Sequence, residues 1–179
     1  MSTVDVRRAL LCCVATLGAL CLGSGSGLEP ALGYAPIGGA KSVRIGGPES
    51  VIRQRTGNDC GLVALTILLR DVGTVADLRQ LHREVPIQGG GATMLALRQA
   101  AATHGVALRG VFADPLRSGA LPTPWIAHLN SGGGHYVVVE RSESARWIVA
   151  DPSVGIVEYS ENAFKRRWSG YALILDRIP

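Results

Sequence analysis

From position 62 the chain is apolar for two helical turns. Leu62-Val63-Ala64-Leu65 and Ile67-Leu68-Leu69 leave only Thr66 polar between them. A helix that is apolar on every side is a buried one. The polar stretch Gln54-Arg55-Thr56-Gly57-Asn58-Asp59 precedes it, with Cys60 and Gly61 at the junction. Asn58 or Asp59 is the expected N-cap and Gly73 the stop, so the pattern predicts a central helix over 59–72. Apolar positions recur at helical spacing twice more. Val75, Leu78, Leu81 and Val85 predict a helix over 74–85, capped by Thr74, with Asp77 in its first turn and Pro86 after it. Met94, Leu97 and Ala101 predict a third over 92–104, ended by Gly105.

After Gly105 the period falls from about 3.6 to about 2. Strands are expected over 106–112, 125–129, 136–140, 147–150, 156–159 and 171–175, with a short helix over 161–168 capped by Ser160. The polar turn at 142–145 predicts that its two flanking strands pair antiparallel. Val51-Ile52-Arg53 is expected to end a short extended segment. Helices first and strands second, without βαβ alternation, predict an α+β fold: a central N-terminal helix packed on an antiparallel β-sheet. No repeat and no internal boundary interrupts residues 48–179.

Ahead of this domain, Arg7-Arg8 precede an uncharged stretch from Ala9 to Leu22, and Gly23-Ser24-Gly25-Ser26-Gly27 follows. A basic start, an apolar core and then small residues describe a secretory signal. The apolar run is shorter than the roughly 20 residues of a spanning helix, so a retained anchor is the second choice. The expected division is a signal peptide or N-terminal anchor over 1–27, a Gly/Pro-rich linker over 28–47, and the folded domain over 48–179. Arg7 and Arg8 on the cytoplasmic side send the rest out, to a periplasmic or secreted location, membrane-anchored if the signal is retained. Leu20 before Cys21 argues against a lipoprotein.

Composition narrows the classes further. With 47% hydrophobic and 18% charged residues in 179, the chain has the makings of one core and is neither a disordered nor a multi-span protein. Its net charge of +4 is scattered, and the longest basic run is Lys165-Arg166-Arg167, so no nucleic-acid partner is expected. Lys41-Ser42 fails as a phosphate loop, because Ala35 and Ala40 stand where glycines are needed. No cofactor or metal is expected.

Cysteine usage points to chemistry. Cys12, Cys13 and Cys21 fall in the expected signal, which leaves Cys60 alone in the mature chain, with no partner for an internal disulfide. Its position in the first turn of a helix is one where the thiolate is favoured. The bland alternative is a small buried hydrophobe. A cysteine nucleophile needs a base and a group to orient the base. Of four histidines, His82 reads as a solvated mid-helix residue, His104 as part of a helix end, and His128 as a hydrogen-bonded strand residue. His135 starts a strand after Gly132-Gly133-Gly134, where a base can face a cleft; a surface histidine at a loop end is as good a reading from position alone. Asp151 ends the strand expected to pair with it, although Asp151-Pro152-Ser153 also reads as ordinary turn chemistry.

Gln54 followed six residues later by Cys60, in Asn58-Asp59-Cys60-Gly61, resembles the papain-like cysteine peptidases. More narrowly, the chain resembles the double-glycine leader peptidases that process bacteriocin precursors. Pro124-Trp125-Ile126-Ala127-His128, His135-Tyr136-Val137-Val138-Val139, Asp151-Pro152 with Gly155, and the closing stretch with Phe164, Trp168, Gly170 and Leu173-Ile174-Leu175 carry the likeness over residues 50–176. The resemblance implies a papain-like fold and cleavage of a peptide or protein substrate. It implies Cys60 as nucleophile, His135 as base, Asp151 as its orienter and Gln54 as an oxyanion donor. It also implies a preference for Gly-Gly before the cut, so Gly38-Gly39 or Gly46-Gly47 are candidate self-processing sites beside their reading as linker. Many relatives are cytoplasmic domains of peptide-exporting transporters, whereas the expected signal makes this a free-standing exported enzyme. Two other readings of the same residues are a non-cleaving peptide-binding module and a cell-wall amidase or transglutaminase-like enzyme.

Overall fold

The apolar run after Cys60 does form a buried helix. In the computed structural model, which describes residues 52–117 and 119–176, α1 spans Cys60–Asp71, and every residue from Cys60 to Leu69 is buried. Its burial is two-layered. α2 (Leu78–Glu84) and α3 (Met94–Thr103) pack on it from one side. The other side lies on a six-stranded sheet, against β2 (Trp125–Leu129), β3 (His135–Glu143) and β4 (Arg146–Asp151). Leu81, Leu97, Ala101, Ile126, Val138 and Leu173 close this core around α1.

β1 (Leu108–Phe112), β5 (Gly155–Ser160), α4 (Glu161–Lys165) and β6 (Trp168–Leu175) complete the molecule. The strand order is β1-β6-β2-β3-β4-β5, and every pairing is antiparallel. The fold is therefore α+β with an antiparallel sheet, as the pattern predicts. Strand alternation sends Ile126 and Val138 toward α1, and their neighbours Trp125, Ala127, Val137 and Val139 to the opposite face. There a second core forms beneath α4, with the Trp125 ring in contact with Trp147, Phe164 and Trp168, and Trp147 with Phe164. Sheet faces covered on both sides explain strands that are apolar at nearly every position.

Several bounds differ from expectation. α2 begins at Leu78 rather than at 75, because the Asp77 carboxylate accepts a hydrogen bond from the Arg79 N–H and sets the cap there. Val75, read as part of its apolar face, is 96% exposed. α3 is capped by Thr93 and so starts at Met94. α4 stops at Lys165, and Trp168 opens β6 instead of closing the helix. β1 starts at Leu108, two residues later than the pattern suggests, while β3 and β4 run farther into their hairpin, whose tip is Ser144-Ala145 at positive φ. No strand includes residues 52–53; Val51, the signal or anchor over 1–27, the linker over 28–47 and both glycine pairs lie outside the described residues. Among the described residues no helix is long and apolar enough to cross a membrane.

Candidate active site

The first turn of α1 carries the thiol. Asp59 occupies the N-cap position but does not cap: no side-chain bond closes the helix end. Its carboxylate turns back to accept hydrogen bonds from the Arg55 and Thr56 N–H groups, each at 3.2 Å. The loop is thus folded by a buried acid, and the positive end of the helix dipole is left for another anion beside Cys60. Gly61 lets the tip sit close to the sheet, since a Cβ there would lie 3.1 Å from the Tyr136 ring and 3.2 Å from Leu97.

β3 and β4 deliver the other groups. Val138 pairs with Ala150, so continuing that antiparallel register sets Asp151 opposite Val137, diagonal to His135 on the same face. The side chains meet. His135 Nε2 donates to Asp151 Oδ1 at 2.8 Å, and since a carboxylate only accepts, that nitrogen carries the proton. Cys60 stands on the other side of the pairing, close enough for its side chain and charge to raise the imidazole. Cys60, His135 and Asp151 are all buried, Asp151 completely.

Electrostatics follow from this chain. Burial is the largest single influence on His135 and disfavours its charged form. The hydrogen bonds to Asp151 and Cys60, and the charges of both, together outweigh it and raise the imidazole to about 9. Tyr136, beside Gly61, is pushed up to about 12 by burial and by the negative charge of Cys60. His128 is lowered, by burial first and then by the charge of His135.

Gln54 is tied into the same cluster. Its Nε2 donates to the Thr56 carbonyl at 3.0 Å, and its Oε1 accepts from the Ser153 hydroxyl at 2.9 Å. All four residues singled out in the sequence therefore join one network, with Ser153 as a link that the sequence reading passed over as turn chemistry. The turn is present as well: Asp151 Oδ1 accepts from the Ser153 N–H at 2.8 Å while it holds His135. The signal was there in Asp151-Pro152-Ser153, but one carboxylate oxygen serving both ends is a three-dimensional fact.

The remaining histidines have other work. His128 Nδ1 pairs with the Ser169 hydroxyl at 3.0 Å, the structural role expected of it. Its ring packs on Tyr136 and against Gly134, where a Cβ would come within 2.7 Å of Nε2. His104 binds Glu84 at 3.0 Å and ties the end of α3 to α2. His82 is more than a solvated residue: Nδ1 contacts the Leu78 carbonyl at 2.8 Å, and Nε2 stands 4.0 Å from buried Asp59. Among the described residues no three His, Cys, Asp or Glu side chains gather into a metal-binding group.

Comparison with known proteins gives the same answer as the geometry. Residues 49–178 match the model of the Peptidase C39 family. The chain is 30% identical over 132 residues to an uncharacterised protein of Methanothermobacter marburgensis, covering 73% of this chain and 91% of that one. It is 30% identical over 123 residues to the colicin V secretion/processing ATP-binding protein of Escherichia coli, covering 69% of this chain. It is 32% identical over 124 residues to the pediocin PA-1 transport/processing ATP-binding protein of Pediococcus acidilactici, covering 66% of this chain. The chain spans only 17% of the length of each of those two transport proteins. Among solved structures, the peptidase domain of Streptococcus ComA superposes with a TM-score of 0.63 at 28% identity, covering 70% of this chain and 96% of that domain. A double glycine motif protease of an AMS/PCAT transporter, solved with its leader peptide, superposes with a TM-score of 0.62 at 26% identity, covering 69% of this chain and 88% of the other. A papain-like scaffold, a thiol on a helix tip beside a buried imidazole, and a family match over most of the chain converge: this protein belongs to the Peptidase C39 family and is a cysteine peptidase.

Proposed function

We propose that this peptidase cleaves a peptide or protein substrate after a glycine pair, by acyl transfer through Cys60. The observation that carries the reading is buried His135, hydrogen-bonded to fully buried Asp151 and raised by neighbouring Cys60. In this mechanism His135 holds the proton of the Cys60 thiol, and the thiolate sulfur attacks the scissile carbonyl carbon. The carbonyl π electrons move onto oxygen, and the α1 tip and the Gln54 amide stabilise the oxyanion. Collapse of the intermediate expels the amine, which takes its proton from His135 and leaves a thioester. Water, deprotonated by His135, then hydrolyses the thioester and frees the thiol. Asp151 keeps the ring in the tautomer and orientation that both steps use.

The relatives' names supply the substrate class: one solved neighbour is a double glycine motif protease in complex with the leader peptide, and two sequence relatives are named for secretion or transport and processing of colicin V and pediocin PA-1. The uncharged stretch after Arg7-Arg8 supports an exported enzyme, acting outside the cytoplasm on an exported client. The test is a peptide panel. A peptide carrying Gly-Gly before the cut is expected to be cleaved with kcat/KM at least about tenfold above its Ala-Ala counterpart. Cell-wall fragments are expected to stay intact. Equal cleavage of both peptides, or hydrolysis of the wall fragments instead, refutes the proposed substrate.

The raised imidazole gives a pH signature. His135 is held above its ordinary 6.5, so the contribution of its ion pairs to stability is complete below pH 6.5 and is lost as pH rises through about 9. The same deprotonation removes the acid for the leaving amine, so kcat/KM is expected to fall along an alkaline limb near pH 9. Asp151→Asn keeps an oxygen that can accept from Nε2–H but removes the negative charge that supports the imidazolium, and should move that limb to lower pH. A limb unmoved in Asp151→Asn refutes the role given to Asp151.

A further inference from the structure

We propose that Ser153 is a positioning residue that fixes the Gln54 carboxamide for oxyanion stabilisation. The inference rests on the reading of Gln54 as an oxyanion donor. A glutamine amide has two nearly isosteric ends, one a donor and one an acceptor, on a terminal torsion with broad, roughly two-fold preference. Catalysis requires the NH2 end toward the developing negative charge. The opposite orientation would present a carbonyl oxygen and repel it.

The hydrogen-bond partners of Gln54 decide the orientation. The Thr56 carbonyl is only an acceptor, so it faces Nε2, at 3.0 Å. The Ser153 hydroxyl donates to Oε1 at 2.9 Å and fixes the oxygen end of the amide. One N–H of Nε2 is used by Thr56, which leaves the second for an oxyanion. Ser153 itself is pinned by its backbone. Its N–H donates to Asp151 Oδ1 at 2.8 Å, and its carbonyl accepts from Arg53 Nη2 at 2.6 Å. The neighbouring Pro152 carbonyl accepts from the Gln54 N–H at 2.9 Å. One turn thus grips the orienting aspartate with its backbone and the glutamine with its side chain, across a separation of 99 residues.

This division of labour makes the proposal testable. Ser153→Ala keeps the backbone bond to Asp151 and removes only the bond to Gln54. The oxyanion exists only beyond the ground state, so the loss should appear in kcat and not in KM. With a Gly-Gly peptide as substrate, Ser153→Ala is expected to lower kcat about fivefold, as for one neutral hydrogen bond. KM and the alkaline limb should stay in place, and Ser153→Thr should restore the rate. Gln54→Ala is expected to lower kcat by about 10²–10³. Adding Ser153→Ala to Gln54→Ala should then cost less than about twofold more, because the residue it positions is gone. If Gln54→Ala leaves kcat unchanged, the donor reading of Gln54 fails and this inference falls with it. If Gln54→Ala is slow but Ser153→Ala is harmless, or costs the same factor in both backgrounds, the donor reading stands and the positioning role is overturned.

Discussion

Cys60→Ser is expected to abolish cleavage, with kcat/KM lowered by about 10⁶, the scale on which removal of one member of a catalytic unit acts. His135→Ala should fall close behind it, and the double substitution should be no worse than Cys60→Ser alone, because neither group can work without the other. The thiol gives an independent readout. Wild-type Cys60 is the only cysteine among the described residues, and it stands beside the imidazole proposed to activate it. Iodoacetamide should therefore label it rapidly and to completion near pH 7, and much more slowly in His135→Ala. Equal, slow labelling of both proteins would falsify an activated thiol. Residual cleavage by Cys60→Ser within tenfold of wild type would remove Cys60 from the mechanism altogether.

The largest effect on stability is expected away from the site. Trp125 is fully buried at the centre of the second core, with ring centroids 5.0 Å from Trp168, 5.9 Å from Trp147 and 6.1 Å from Phe164. Trp125→Ala should cost about 3–5 kcal/mol in urea unfolding, from lost transfer energy and the cavity left among three rings. Trp125→Phe should cost less than about 2 kcal/mol, because an aromatic ring is retained and the Trp125 indole N–H has no hydrogen-bond partner among the described residues. A Trp125→Ala variant within 1 kcal/mol of wild type would mean that α4 and the rings around it do not form a cooperative core.

The contrast between the two cores explains what the sequence could and could not show. The helix at Cys60–Asp71 is legible because its burial is local: consecutive apolar residues need no knowledge of what covers them. β2 is legible to the residue at Trp125–Leu129, since glycine- and proline-rich stretches bracket it. Trp168 follows Phe164 at helical spacing, and only the pairing of Leu129 with Trp168 places it in a strand. Val75 likewise fits the helical period, but the Asp77 cap starts the helix after it. The second core left a trace in strands apolar on both faces, yet the alternation does not say what lies on the far side. At the site, Cys60, His135 and Asp151 can be nominated from residue type and strand order. Their union depends on the β3–β4 register, and Ser153 enters only through contacts between chain segments far apart in sequence.

The sheet order has a consequence for biosynthesis. β6 is the last described strand in sequence, yet it lies between β1 and β2, which do not pair with each other. While the ribosome is still making residues 168–175, β1 has no strand beside it and β2 is paired on one side only. The platform beneath α1 closes when its final piece is threaded into the middle. A nascent chain therefore carries every residue of the proposed triad, and Gln54 and Ser153, while its sheet still lacks the strand that joins β1 to β2.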